Sequence, residues 1–176
     1  MRLKIIDRIS VAATAGETRR SDTMNTRELL KKIDRQLAAA ETTLLELNEQ
    51  PDLSAVPEKS QQVDSRLEKA ELIIADLRND SKETKYEFVG LQMLDIGRSH
   101  VTPARDRMFV LIQDPGSAPA RNILEALHHT ISAREIIEAL TKQFEEVARE
   151  RELAEALEEV AEIYEVYVEN MQGVLR

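Results

Sequence analysis

Hydrophobic residues recur along this chain at alternating spacings of three and four. From Asn25 to Gln50 they fall at Leu30, Ile33, Leu37, Ala40, Leu44 and Leu47, the stripe that a helix of 3.6 residues per turn lays along one face. The pattern predicts a helix of about 26 residues, roughly 39 Å long, carrying a heptad seam. Asn25 or Thr26 supplies a side-chain oxygen to cap its first turn. Pro51 stops it, and the stretch from Gln50 to Ser60, with Pro51 and Pro57, reverses the chain.

From Pro57 to Arg78 the spacing returns at Val63, Leu67, Ala70, Ile74 and Leu77. Two such helices joined by a short proline-bearing loop predict an antiparallel hairpin. Asp80 and Glu83 have the spacing of a capping box for a new helix, although Phe88 and Leu91 stay in phase with the preceding seam and one continuous helix also fits. Tyr86 to Ile96 is apolar on more than one face and is expected to be the most buried helix. Gly97 to Thr102 reads as a break, with Thr102 as cap and Pro103 in the first turn of the next helix. The run Met108 to Ile112 suits a helix or a strand; helix is favoured because no second strand is available to pair with it.

After a turn at Asp114 to Ser117, helical spacing continues nearly to the end. Ile137, Leu140, Phe144 and Val147 form one seam, and Leu157, Val160, Tyr164, Tyr167, Met171 and Val174 form another, displaced from the first by one residue in heptad register. The displacement predicts a bend, skip or break between Ala148 and Leu153. No clear internal repeat stands out. The expected fold is therefore all-α, an antiparallel helical bundle or elongated coiled-coil-like hairpins of about five helices. Residues 1–24 form a poorly structured or weakly helical extension. Residues 25–176 form one helical domain, with a hairpin over 25–80, central buried helices over 81–114 and long helices over 117–176.

Composition narrows the functions. Aromatic residues make up 3% and cysteine is absent, so the core must be aliphatic, and disulfides and thiolate chemistry are excluded. A net charge of -9 repels phosphate backbones, which argues against nucleic-acid partners. The charge is uneven: nine Lys or Arg against five Asp or Glu from Met1 to Arg35, but five against twelve from Ile131 to Arg176. No stretch has the roughly 20 apolar residues a transmembrane helix needs. The basic start and Ala13-Thr14-Ala15 resemble a signal peptide, but Asp7 and Arg8 interrupt the apolar run. Met24 is a second candidate start.

Candidate chemistry is sparse. Glu125 and His128 form a Glu-x-x-His pair of the kind used in di-metal bundles, without the second copy and added carboxylates such a centre needs. Arg98, His100, Arg105 and Arg107 gather cations near a predicted helix start, a place where a small anion would bind. No nucleophile elbow, phosphate loop or zinc motif is present, and no cofactor is implied. The sequence favours a non-catalytic scaffold, interaction or oligomerisation domain whose partner is another protein or a second copy. Leu30, Ile33, Leu37 and Leu44, together with Leu157, Val160, Tyr164, Tyr167 and Met171, are the candidate packing or association seams. A bundle binding a metal or small anion is the alternative; a segment of an envelope-associated assembly is another. Compartment is left open, a cytoplasmic one fitting slightly better.

Overall fold

The structure is a computed structural model that describes residues 2–49 and 53–174, with side chains described over 23–49 and 53–168. Among the described residues it holds five α-helices, one π-helical turn and no strand: α1 (Arg2–Glu49), α2 (Val56–Ser81), α3 (Glu87–Ile96), the π turn (Gly97–Val101), α4 (Thr102–Gln113) and α5 (Pro119–Val174). Because α3, the π turn and α4 run on without interruption, the helices make four rods. The protein is an all-α helical bundle. It divides into two compact units, Met1–Thr141 and Lys142–Arg176, where the spacing alone suggests one domain.

In the first unit α1 and α2 form the antiparallel hairpin. Partners recede along α1 as they advance along α2: Lys59 with Glu46, Arg66 with Gln36, and Asp80 with Asn25. The seam residues meet in the core, where Leu30, Ile33, Leu37, Leu44, Leu67 and Leu77 are almost fully buried. α1 does not begin at Asn25 but runs through that point from Arg2. Gly16 alone costs only about 1 kcal/mol in a helix interior and does not stop it. Asn25 therefore caps nothing, and its amide donates to Asp80 Oδ2 at 2.7 Å. The reversal itself lies partly outside the described residues, and Pro57 sits in the first turn of α2.

An arginine clamp occurs twice. Arg105 of α4 donates to Asp64 at 2.9 Å and to Glu71 at 2.6 Å on α2. Arg134 of α5 does the same to Asp34 at 3.0 Å and Glu41 at 2.6 Å on α1. The local sequences match: Ile33-Asp34-x-x-Leu37-x-x-Ala40-Glu41 and Val63-Asp64-x-x-Leu67-x-x-Ala70-Glu71, each facing an Ala-Arg pair, Ala104-Arg105 or Ala133-Arg134. All four alanines are buried. The expectation of no internal repeat is thus corrected: these nine-residue pieces match in their apolar and acidic positions only, a resemblance visible once the arginines pick them out. Such partly exposed ion pairs contribute about 1 kcal/mol or less; their geometry fixes how the helices are set against each other.

The capping box is not formed. Asp80 is taken by Asn25, Glu83 lies in the left-handed region at φ 62, and Thr84 Oγ1 accepts the Tyr86 amide instead at 3.1 Å. Nor is α3 buried on several faces, since Leu91 is 50% exposed. It approaches α2 closely at Gly90, where a β-carbon would meet Ser81 Oγ and lie 3.1 Å from the Arg78 backbone. Gly90→Ala is expected to lower stability by about 1–3 kcal/mol despite the better helix propensity of alanine. Urea denaturation checks this, and a variant as stable as the parent would refute the close approach.

The expected break at Gly97 to Thr102 is a π turn. The Thr102 amide bonds back to Gly97 O, five residues earlier, which inserts one residue into the helix. Without it the seam through Tyr86, Val89, Met93 and Ile96 would continue at His100, Pro103, Arg107 and Val110. With it the core positions are Val101, Ala104, Met108 and Leu111, all buried. Thr102 is consequently not a cap, and its hydroxyl donates to Glu71 at 2.7 Å. Met108 to Ile112 is helical, within α4.

Candidate functional site

α5 carries the feature that distinguishes this chain. Each residue turns an α-helix by about 100°, which places Ala126, Thr130, Ala133, Ile137, Leu140, Phe144 and Ala148 on one stripe. All seven are buried. Continued in the same phase, that stripe passes through Arg151, Glu155, Glu158 and Glu162, all charged. The large apolar residues beyond Ala148 lie elsewhere: Leu153, Leu157, Val160, Tyr164 and Tyr167 centre on the opposite face, about 180° away.

The one-residue displacement in the sequence is therefore not a break. The helix is continuous across 148–153, and its apolar side changes face. The second-unit apolar side chains are open to solvent: Leu153 is 63% exposed, Leu157 62%, Val160 62%, Ile163 70%, Tyr164 66% and Tyr167 60%. Ala154, Ala156 and Ala161 flank them and are exposed too. Val147, placed by spacing in the first seam, yields to Ala148 as the buried residue. Of the remaining seam candidates, Met171 lies outside the residues whose side chains are described.

Covering one such side chain is worth roughly 1.5–3 kcal/mol, and most of the stability of a helix in a protein comes from packing its apolar face rather than from intrinsic propensity. Elsewhere the exposed large apolar residues, such as Leu72, Leu91 and Phe109, are spread over different helices, as on any surface. Six large apolar residues within fifteen positions of one helix are a contiguous patch of the sort that marks an interaction site.

The four cations proposed as an anion site do not converge. Arg105 turns to α2, where its hydrogen bonds to the Asp64 and Glu71 carboxylates raise its pKa further. Arg107 pairs with Glu125 Oε2 at 2.7 Å, and Arg98 is exposed. Glu125 is also held by Arg121, which donates to Oε1 at 2.7 Å; that bond is the main reason its pKa is lowered. It is His129, rather than His128, that meets His100, the ring centroids lying 5.8 Å apart. The Nδ1 atoms of His100 and His129 are both buried without a hydrogen-bond partner. Among the described residues no group of three or more His, Asp or Glu side chains is placed to hold a metal ion.

This edge of the bundle makes stability pH-dependent. Burial depresses the His129 pKa, reinforced by His100 on the π turn, His128 on α5 and Arg107 on α4, with Glu125 opposing. The unfolded chain binds the proton more readily than the native one. The contribution of neutral His129 is then complete above its ordinary value of about 6.5 and is lost as pH falls below it. The melting temperature should drop across that window, and His129→Gln should flatten the drop; an unchanged slope would count against the assignment.

Comparison with protein-family models, curated proteins and solved structures gives no match to this chain.

Proposed function

We propose that this protein acts by protein–protein association, through the apolar face that α5 exposes over residues 153–167. The observation that carries the reading is the change of face. The buried stripe ends at Ala148, and a second apolar stripe of comparable size begins on the opposite side of the same helix, with Leu153, Leu157, Val160, Ile163, Tyr164 and Tyr167 exposed. Were that stripe a continuation of the bundle seam, its residues would stand where Arg151, Glu155 and Glu162 do. Aromatic residues with a polar tip, here Tyr164 and Tyr167, suit a surface that is wet when free and dry when covered. Among the described residues no helix is long and apolar enough to cross a membrane, so the apolar content of the face is not that of a bilayer span.

A photo-reactive phenylalanine at position 160, in the full chain expressed in its own cells, tests the reading. A covalent adduct is expected from Val160 and none from Glu162, on the other side of the helix. Absence of an adduct at 160 would overturn it.

A further inference from the structure

Resting on that reading, we propose that the occupant of this face is the same face of a second copy, paired antiparallel. The residues that would abut a partner between 153 and 168 are Leu153, Leu157, Val160, Tyr164 and Tyr167, flanked by alanines, Ile163 and Val168. No charge lies on the face to repel its own copy. The carboxylates stand on the other side of the helix, and the small flanking residues let two backbones come close.

Size and charge agree with a dimer. The six large exposed side chains offer about 100 Å² each, or roughly 600 Å² before the alanines are counted. Each partner in a standard stable interface contributes ~800 Å². Along the segment, the basic residues Lys142, Arg149 and Arg151 come first, and from Glu152 to Glu165 every charge is negative. A parallel pair would set Glu152, Glu155, Glu158, Glu159, Glu162 and Glu165 level with their own counterparts. An antiparallel pair that places Leu153 against Tyr164 and Leu157 against Val160 also sets Glu152, Glu155 and Glu158 level with Glu165, Glu162 and Glu159 of the other copy, but it takes Arg149 and Arg151 away from their own counterparts and brings them level with Val168 and Val166, beside Glu165 and Glu169. The same register lays residues 143–174 onto themselves, which is nearly all of the described part of the second compact unit.

The chain has no cysteine, so single cysteines report the register directly. Leu153→Cys and Tyr164→Cys, each in the full chain, are oxidised alone and as a mixture. In the proposed pairing residues 153 and 164 each lie about 16 Å from their own counterparts, too far for a disulfide, whereas 153 faces 164. The expected result is a disulfide-linked pair from the mixture only, and a light-scattering mass for the parent of twice 20.0 kDa that halves on dilution. Self-linkage of either variant alone, as a parallel pair demands, would overturn the proposal. So would a mass of 20.0 kDa at every concentration. If that monomer still gives an adduct from Val160 with a different protein, the second copy is wrong and association stands; if it gives none, both fail.

Discussion

Leu37→Asp should leave the chain without a cooperative unfolding transition. Leu37 is fully buried, in a seam whose neighbours Ile33, Ala40 and Leu44 are buried as completely. A carboxylate there either ionises without a partner or takes up a proton, and in both cases the contacts of the leucine are lost. The expected penalty is about 5 kcal/mol or more, comparable to the whole stability of a typical domain. Circular dichroism on heating would show a gradual loss of helix in place of a sigmoid. A sharp transition within a few degrees of the parent would remove Leu37 from the core.

Tyr164→Asp should do the reverse, although spacing alone ranks the two positions as equals. With Tyr164 66% exposed, the carboxylate stays in water, and bundle stability should move by about 0.5 kcal/mol or less. Association should suffer instead. A tyrosine covered in an interface is a residue type whose loss often costs about 2 kcal/mol or more, and a symmetric pair that sets it against Leu153 loses it twice, so the dissociation constant should rise about a hundredfold or more. Sedimentation equilibrium together with a thermal melt separates the two effects. A variant that unfolds would place Tyr164 in a core, and one that associates like the parent would take it off the interface.

The contrast shows what spacing conveys. The seams of α1 and α2 were legible because burial repeats with the helix and every member lies within a few residues of the next. The aliphatic core and the hairpin followed from that. The clamps were not legible, because Arg105 meets Asp64 at a separation of 41 residues and Arg134 meets Asp34 at a separation of 100; to a local reading Arg105 was one more cation beside Arg107. The π turn was hidden for another reason. Gly97 and Pro103 both signal an end, and a helix that instead takes in one extra residue leaves only a skipped position in the pattern. At the functional face, spacing found Leu157, Val160, Tyr164 and Tyr167 but not that they were uncovered. The one-residue displacement was visible, but its meaning depended on the helix continuing through 148–153.

The π turn ties two features of the sequence together in a way that concerns mutational history. Deleting Ser99 would turn the segment back into α-helix and leave Val101, Ala104, Met108 and Leu111 at their core positions. It would also press the Pro103 ring against the carbonyl four residues before it, which costs about 3 kcal/mol. Pro103→Ala alone keeps the extra residue and so cannot straighten the rod without shifting its register. The extra residue and the proline are epistatic: the deletion should be harmful by itself and tolerated in the presence of Pro103→Ala, a coupling that a four-variant cycle of urea denaturations would display. A chain that acquired both cannot cheaply shed the extra residue while the proline remains.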